Sequence, residues 1–265
     1  MASSEHVNVI CLKWGTAYPP FYVNRLYAGV KRNLRRPFRF VCFTNEPEGL
    51  AEGIEVRPIP PKPEGLEARG KKWPTVYTKL ALFKDGCGDL TGPTLFLDID
   101  QVIVGDMDRF FDYKPGEFCI IRNWIERRKL LFRRRPKIGN SSCFRFEAGK
   151  MNWVWETFAA HLDEAYNKKK YATEQAYMTH AVGLDKVNWW PESWVASFKR
   201  VCHRIFPLNR FLPPKTPKGA SILCFHGHPN PNEAIEGFAQ HKGRKVPIHQ
   251  TTLPAPWIKD LWELD

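Results

Sequence analysis

The chain has 265 residues, of which 43% are hydrophobic and 14% aromatic, and its formal net charge is +12. This length and composition predict a globular protein with one large α/β domain or two small ones. No basic segment followed by an apolar stretch marks a secretory signal, and no window approaches the roughly 18 apolar residues that span a bilayer. The seven cysteines are scattered without a CxxC pair, which predicts a reduced, cytosolic compartment.

The excess of basic over acidic residues is large, with 40 Lys and Arg against 28 Asp and Glu. Such an excess predicts attraction to phosphates, to an anionic membrane surface or to nucleic acid, without choosing among them.

Strand-like and helix-like patterns alternate along most of the chain. Short apolar runs bounded by turn residues predict strands, and apolar residues at helical spacing predict helices. The predicted strands cover residues 7–12, 38–43, 54–59, 94–97, 118–122, 138–146, 187–190 and 221–225. The predicted helices cover residues 21–33, 73–83, 151–166 and 173–181, with Pro74 opening the second and Thr173 as the N-cap of the last.

The loop after the first predicted strand holds Lys13, Trp14 and Gly15. In a doubly wound sheet such a loop lies where a nucleotide binds, because ligands collect outside the carboxyl ends of the strands. The glycine pattern of a dinucleotide-binding loop is absent. The alternative for Trp14 is ordinary packing within the loop.

Two acids, Asp98 and Asp100, follow the apolar run 94–97, and apolar residues resume after Gln101. Because side chains alternate along a strand, the two carboxylates point the same way and would repel each other without a cation or protons between them. Mg²⁺ and Mn²⁺ take oxygen ligands and keep positions open for a phosphate. We therefore expect a metal site here, and the alternative is a pair of solvated acids in a turn.

The segment 122–137 is the most basic part of the chain, and apolar residues such as Trp124 are interleaved with its charges. It could dock on anionic lipid, receive an acidic acceptor or form an ordinary solvated face. No nucleic-acid-binding motif accompanies the charge, so nucleic acid is not expected as a partner. The basic residues are Arg122, Arg127, Arg128, Lys129, Arg133, Arg134, Arg135 and Lys137.

The last predicted strand ends in His226, Gly227 and His228. Gly227 permits a positive φ or a close backbone approach, and the imidazole of His226 suits a metal ligand or a proton carrier. A turn histidine without a function is the alternative. The C-terminal tail, residues 232–265, is expected either to pack on the body or to lie on a membrane surface.

Taken in chain order, these three strand ends resemble those of a GT-A glycosyltransferase, and more narrowly those of the family 8 and glycogenin-like group. The matching stretches, which span nearly the whole chain, are Lys13-Trp14-Gly15, Asp98-Ile99-Asp100 and His226-Gly227-His228-Pro229. The resemblance implies one α/β domain over residues 1–265, with a Rossmann-like, mixed and mostly parallel central sheet flanked by helices. It also implies a nucleotide-sugar donor, with UDP expected as the nucleotide, and Mn²⁺ or Mg²⁺ as cofactor.

The resemblance assigns residues to the site one by one. Asp98, Asp100 and His226 would hold the metal against the donor diphosphate. The stretch from Gly139 to Ser142 would line the sugar pocket. The donor-binding residues implied are Lys13, Trp14, Gly15, Lys79, Asp98, Asn140, Gly227 and His228, and the catalytic residues are Asp100, Glu174 and Gln175.

Several positions depart from the family pattern. The family histidine stands three residues before the glycine, where this chain has Cys224, but His226, one residue before Gly227, shares that strand face and could still reach the metal. No Trp follows Pro231, unlike in the family.

Asn230 stands where the family has a phosphate-binding lysine, which would weaken the hold on the diphosphate unless His228 or another base substitutes. Glu174 replaces an aspartate and adds a methylene near the reacting carbon. The chain is therefore a distant relative, and its sugar cannot be taken from the family.

Two other functions compete with sugar transfer. The stretch 95–102 also resembles the first motif of haloacid-dehalogenase-type phosphatases, with Asp98 as nucleophile, but no later acidic motif follows. The other alternative is a catalytically weak basic domain that binds a membrane or a polyanion. The function we expect is metal-dependent transfer of a sugar from a UDP-sugar to a hydroxyl of a glycan or glycolipid, in the cytoplasm and with peripheral membrane contact left open.

Overall fold

A central sheet of seven strands and a smaller sheet of three organise the protein. The structure, a computed structural model, describes residues 6–124 and 137–263. The strands are β1 (Val7–Lys13), β2 (Phe38–Thr44), β3 (Ile54–Arg57), β4 (Gly92–Leu97), β5 (Val102–Ile103), β6 (Cys119–Arg122), β7 (Gly139–Ala148), β8 (Asn188–Trp189), β9 (Val195–Ser197), β10 (Ile222–Cys224), β11 (Gln240–His241) and β12 (Arg244–Lys245).

The helices are short apart from the first. They are α1 (Phe21–Asn33), α2 (Thr78–Ala81), α3 (Arg109–Asp112), α4 (Asn152–Ala160), α5 (Leu162–Ala165), α6 (Glu174–Val182), α7 (Pro231–Glu236) and α8 (Lys259–Trp262). Single 3₁₀ turns lie at Glu67–Arg69, Cys87–Asp89, Leu208–Arg210, Ile248–Gln250 and Pro256–Ile258, and a π-helical turn at Phe198–Cys202. None of the helices within the described ranges is long and apolar enough to cross a membrane.

The central sheet has the strand order β3-β2-β1-β4-β7-β6-β8. Every neighbouring pair is parallel except the two that involve β7, which runs antiparallel to both β4 and β6. The expected mixed, mostly parallel sheet flanked by helices is therefore confirmed. The parallel strands bring the carboxyl ends of β1 and β4 to the same edge of the sheet, as the sequence predicts.

Both faces of the central sheet are buried, which explains why its inner strands are mostly apolar on both faces. Along β1, Val9 and Cys11 join the hydrophobic cluster on one face, and Ile10 and Leu12 join the cluster on the other. Helix α1 supplies side chains such as Leu26 to the first cluster, and α4 and α6 cover the second face. This two-sided burial holds the edge of the sheet in place for a site.

The smaller sheet has the order β5-β10-β9, with β10 antiparallel to β5 and parallel to β9. The apolar runs on either side of Asp98–Gln101 lie close together in the sequence, but they belong to different sheets. Residues 98–101 therefore form the link between the central sheet and the small sheet. The predicted strand near residue 222 exists, and it lies in the small sheet rather than in the central one.

Two predicted helices are wrong in extent. Helix α2 is one turn instead of spanning residues 73–83, because the hydroxyl of Thr78 accepts a hydrogen bond from Thr75 N (3.0 Å) and the chain before it forms turns. The helix predicted over residues 151–166 breaks into α4 and α5 at His161, whose φ of −124° and ψ of 45° are not helical. Strands β9, β11 and β12 are not among the predicted elements.

The C-terminal tail packs on the body of the protein. Trp262 is 1% exposed and contacts the rings of Phe21 and Tyr22 of α1 edge-on. The Arg25 guanidinium lies 4.3 Å from the Trp262 ring centre and pairs with Glu263 at 3.3 Å. Of the two expectations for the tail, packing on the body is the one that the structure shows.

Candidate active site

The two acids lie at the carboxyl edge of the central sheet, immediately after β4. Asp98 N donates to Ser142 O (2.9 Å), so the pairing between β4 and β7 continues as far as the first acid. Asp98 and Asp100 are partly exposed residues, and Ile99 between them is buried. Beyond Asp98 the chain leaves the strand in a turn, closed by the hydrogen bond from Gln101 N to Asp98 O (3.3 Å). Strand β1 runs beside β4 in parallel, so the loop that begins at Lys13 leaves the sheet at the same edge.

Lys79 places a buried cation against the first acid. The Lys79 side chain is 7% exposed, and its Nζ lies 2.7 Å from Asp98 Oδ1. The same Nζ donates to the carbonyl oxygen of Ser141 (3.1 Å) and to its hydroxyl (3.3 Å). A buried ammonium is stable only with such partners, so the ion pair and the two hydrogen bonds fix both charges.

A chain of hydrogen bonds continues from Lys79 to α6. The Ser141 hydroxyl donates to Glu174 Oε1 (2.5 Å), and Ser141 N donates to Gln175 Oε1 (3.4 Å). Glu174 and Gln175 open α6, with Thr173 in extended conformation at the N-cap position. The structure therefore brings Lys79, Asp98, Glu174 and Gln175 together through Ser141, a member of the stretch that the resemblance places at the sugar pocket.

Two neighbouring residues of β7 contribute to backbone hydrogen bonding and to close packing. Asn140 is 7% exposed, and its Oδ1 accepts a hydrogen bond from Ser142 N (3.0 Å). A Cβ at Gly139 would lie 2.5 Å from Ile120 Cδ1 and 3.0 Å from Thr179 Oγ1. The glycine is therefore explained by close packing against β6 and α6.

Gln101 is a further residue that the sequence analysis leaves out of the site. It is 1% exposed, and its Nε2 donates to Ser142 O (2.7 Å) and to Cys224 Sγ (3.1 Å). One side chain thus ties the acid-bearing link to β7 and to β10. The signal in the sequence is a single amide among buried apolar residues, since a buried amide must find partners.

The carboxyl group of Asp100, at this edge of the sheet, has a strongly raised pKa. Burial, followed by repulsion from Asp98, raises the pKa of Asp100 to about 7, and Lys79 opposes the rise. A carboxyl with such a pKa is half protonated near neutral pH. A cation bound between the two acids would remove the repulsion, so this feature favours a metal or another positive group at the site.

His226 approaches the acids from the end of β10. Burial lowers the pKa of His226 to about 4, the charge of Lys199 adds to this effect, and Asp98 opposes it. The ring is therefore neutral at pH 7, which is the form that binds metals. Within the described part of the chain, its buried Nε2 has no hydrogen-bond partner. The Trp124 ring centre lies 4.7 Å from that of His226, and Lys199 Nζ donates to the His226 carbonyl (2.5 Å).

The side chains at this edge fit a hard divalent ion by their chemistry, because they offer two carboxylates and one neutral imidazole whose nitrogen is unused. The geometry is more open than a closed metal site. Among the described residues, only His228, Glu233 and His241 bring three such ligand atoms within 4.8 Å of one another. The ligand atoms of Asp98, Asp100 and His226 are spread more widely, and Asp98 is held by Lys79.

His228 and Gly227 form the turn beyond His226. Gly227 has a φ of +61°, which a residue with a Cβ adopts at a cost. His228 Nδ1 lies 2.8 Å from Glu233 Oε2, and the same oxygen accepts a hydrogen bond from Asn230 N (2.7 Å). Asn230 and Glu233 form a capping box at the start of α7. Asn230 is thus a helix cap, and one ring nitrogen of His228 is already engaged.

The loop after β1 is fixed mainly by its own contacts. Lys13 is 3% exposed, and its Nζ donates to Gly15 O (3.3 Å). Gly15 has a φ of +61°, and its N–H donates to Asn45 Oδ1 (3.1 Å). Trp14 packs against the hydrophobic cluster on one face of the sheet, as its alternative interpretation predicts. The pKa of Tyr18, in the same loop, is raised mainly by burial and further by the nearby charges of Asp100 and Asp98.

The basic segment 122–137 falls mostly outside the described residues, because residues 125–136 are not among them. Its interpretation as a lipid-docking or acceptor-receiving surface stays a prediction.

No protein-family model matches this chain, and no curated protein matches it in sequence. Among solved structures, the galactosyltransferase LgtC in complex with donor and acceptor sugar analogues has a TM-score of 0.57 at 12% identity, covering 97% of this chain and 95% of that one. The glycosyltransferase GlyE of Streptococcus pneumoniae TIGR4 has a TM-score of 0.54 at 12% identity, covering 84% of this chain and 55% of that one. The bifunctional glycosyltransferase WbbM has a TM-score of 0.52 at 12% identity, covering 85% of this chain and 46% of that one.

The fold is that of these glycosyltransferases, and the GT-A fold implied by the sequence resemblance is confirmed. At this level of identity the likeness concerns the fold alone. It gives no support to the haloacid-dehalogenase alternative.

Proposed function

We propose that this protein is a metal-dependent glycosyltransferase that moves a sugar from a nucleotide-sugar donor, with UDP as the nucleotide, to a hydroxyl acceptor on a glycan or glycolipid. The observation that carries the proposal is an imidazole with an unused nitrogen that follows one sheet, near enough to Asp98 at the end of the other sheet for the acid to act on the pKa of the ring, in a fold shared with glycosyltransferases. Function depends on the site rather than on the fold alone, so the acids and the imidazole are the groups to test.

The groups that would hold the ion are Asp98, Asp100 and His226, with Mn²⁺ preferred and Mg²⁺ as the alternative. When bound, the ion supplies positive charge that stabilises the leaving diphosphate. Lys79 offsets the charge of Asp98 through its 2.7 Å ion pair and keeps that carboxylate in one orientation. The neutral ring of His226 leaves Nε2 free to act as a ligand.

In this proposal, residues of α6 and β7 position the sugar of the donor. Ser141 holds Glu174 through a 2.5 Å hydrogen bond, and its backbone N–H orients Gln175. Both side chains are partly exposed at the start of α6, so they can contact a sugar and position it for attack by the acceptor hydroxyl. Lys13, Trp14 and Gly15 would contact the base and the ribose, and Asn140, Gly227 and His228 the remainder of the donor.

Calorimetry of UDP with and without Mn²⁺ tests the proposal. We expect UDP to bind only when Mn²⁺ is present, and Asp100→Ala to remove this binding, because one of the two carboxylates that hold the ion is gone. Asp85→Ala is the matched control, since Asp85 is an exposed acid in a turn away from the site. Binding of UDP by the Asp100 variant without metal would refute the site assignment.

Hydrolysis or transfer of a nucleotide-sugar in the presence of Mn²⁺ separates an active enzyme from a catalytically weak binding domain. If UDP binds with the expected metal dependence but no sugar is ever released or transferred, the enzymatic half of the proposal is wrong.

A further inference from the structure

Large apolar side chains are exposed in a cluster between β9 and β10. The residues that the structure describes expose ten such side chains, and half of them lie within residues 205–212. Ile205 and Phe211 are the most exposed of all, at 70% and 72%. We call this set the apolar patch, and its members are Ile205, Phe206, Leu208, Phe211 and Leu212. A short segment that exposes so many large apolar side chains is typical of a site of interaction.

The apolar patch is held outward by a rigid loop. Asn209, in the middle of the patch, is 2% exposed, and its Nδ2 donates to the carbonyl oxygens of Ile248 (2.8 Å) and Thr251 (3.0 Å). The loop closes on itself where Lys215 N donates to Cys202 O (3.0 Å). These hydrogen bonds from the buried Asn209 side chain anchor the loop to the body of the protein, and the apolar side chains on either side of Asn209 face solvent.

The segment around the patch carries only positive charge. Residues 193–232 contain six basic residues and no Asp or Glu. Among these, Arg210, Lys215 and Lys218 are exposed beside the apolar patch. The six residues are Lys199, Arg200, Arg204, Arg210, Lys215 and Lys218.

An anionic lipid surface is the partner that this combination fits best. It offers an apolar interior to Ile, Leu and Phe side chains and negative headgroups to Arg and Lys at the same depth. A nucleic acid would use the charges but leave Ile205 and Leu212 without an apolar contact. An apolar protein surface would cover the patch but give nothing to the surrounding cations.

The segment that carries the patch begins at the candidate site. Lys199 lies in the π-helical turn after β9, and its Nζ donates to the His226 carbonyl (2.5 Å). Ile205 follows Lys199 by six positions, so at most about 20 Å of extended chain joins the site to the start of the patch. A surface that binds the patch would therefore lie within reach of the site.

We propose that the apolar patch docks on an anionic lipid membrane and that the candidate site acts on an acceptor held at that membrane surface. The second half of this statement rests on the proposed function, and the first half does not. The acceptor class that follows is a lipid-linked hydroxyl compound rather than a soluble sugar.

Co-sedimentation with vesicles tests the docking. The 265-residue chain is mixed with vesicles of phosphatidylcholine alone or of phosphatidylcholine with phosphatidylglycerol. We expect binding to the anionic vesicles, and a loss of about tenfold or more in the double variant Ile205→Glu/Phe211→Glu, because two side chains that enter the lipid are removed. The control is Val76→Glu/Leu184→Glu, which makes the same charge change at residues that are 47% and 55% exposed elsewhere.

A second measurement guards against misfolding of the glutamate variant. All seven cysteines are buried, so a single cysteine placed at Leu212 can be labelled with a polarity-sensitive dye. We expect the dye emission to shift to the blue on anionic vesicles, and the same dye at Leu184→Cys to remain unchanged. Separately, Lys215→Gln/Lys218→Gln should weaken vesicle binding by roughly fivefold for each charge, with a smaller dependence on salt.

The outcomes separate this proposal from the proposed function. UDP binding with Mn²⁺ is measured without lipid, and vesicle binding is measured without UDP, so either can fail alone. Equal binding of the patch variant and its control to anionic vesicles would overturn the docking. So would light scattering that shows self-association abolished by Phe211→Glu, because the patch would then join two copies of the chain.

Discussion

The two sides of the candidate site are built differently. On the side of Lys79, the groups satisfy one another, because Lys79, Asp98, Ser141 and Glu174 form an unbroken chain of an ion pair and hydrogen bonds. On the side of His226, the buried Nε2 has no partner among the described residues, and the ring is held by neighbours such as Trp124. The first side is complete without a ligand, whereas the second keeps one atom for a ligand. Substitutions on the first side should therefore reduce stability, and substitutions on the second should reduce binding.

The largest effect on stability is expected from Lys79→Met. The substitution leaves Asp98 without its cation and the Ser141 carbonyl without a donor, which should lower the free energy of unfolding by about 2–4 kcal/mol. Chemical denaturation measures this change. Lys84→Met is the control, because Lys84 is an exposed lysine whose Nζ lies 5.7 Å from the Trp155 ring centre. Equal stability of the two variants would show that the ion pair and hydrogen bonds of Lys79 do not stabilise the fold.

A smaller effect, of opposite sign, is expected from Asp100→Asn. The folded protein holds a proton on Asp100 up to about pH 7, while the unfolded chain releases it near pH 4. The folded state therefore binds more protons between these values, and its stability falls as the pH rises from about 4 to 7. Asn carries no charge, so the variant should be more stable than the wild type at pH 8 by about 1–2 kcal/mol without metal.

Denaturation at pH 5 and pH 8, without added metal, measures the effect of Asp100→Asn. The gain should shrink at pH 5, where the wild-type carboxyl is protonated. A gain of the same size at both pH values would show that burial and repulsion from Asp98 are not its cause.

The smallest effect on stability at neutral pH is expected from His226→Gln, which should change the free energy of unfolding by less than about 0.5 kcal/mol at pH 7. The same variant should lose the Mn²⁺-dependent binding of UDP, because it lacks the imidazole nitrogen. Comparison of its thermal midpoint and its UDP isotherm with those of the wild type measures both. A large loss of stability with UDP binding intact would reverse the contrast between the two sides.

Acid should bring out a second difference for His226→Gln. The wild-type ring resists protonation down to about pH 4, whereas the unfolded chain takes up this proton near pH 6.5. The unfolded state binds more protons in this interval, so wild-type stability falls as the pH drops from about 6.5 to 4. The variant should lack this part of the acid sensitivity.

Sequence reasoning predicts the acid side of the site well, for a physical reason. Leu95, Phe96 and Leu97 are apolar because both faces of β4 are buried, so the end of the strand before Asp98 follows from the sequence. The orientation of Asp100 does not follow from strand alternation, because Asp100 lies in the turn that leads from β4 to β5. The position of Lys79 was available only from the resemblance, because its contact with Asp98 joins α2 to β4 and no local pattern records it.

The parts that sequence reasoning misses depend on contacts between distant segments. Gln101 bonds to Ser142 in β7 and to Cys224 in β10, and Cys224 lies more than 120 positions away in the sequence. Lys199 likewise donates to the carbonyl of His226 in the turn after β10. The apolar patch lies in a proline-rich stretch that the sequence marks only as irregular, because periodicity is informative where a regular element repeats it. The π-helical turn and the two-residue strands are likewise set by tertiary pairing rather than by local preference.

The acids and the imidazole are attached to different sheets, and residues 98–101 are the hinge-like connection between them. Any ligand that touches both groups would act as a crosslink between the sheets and oppose their sliding or separation. Amide hydrogens in β5 and β10 should then exchange with solvent more slowly in the loaded protein than in the empty one, even though those strands contribute no side chain to the ligand. Ligand binding at the edge of the central sheet would in this way reduce local opening in the small sheet.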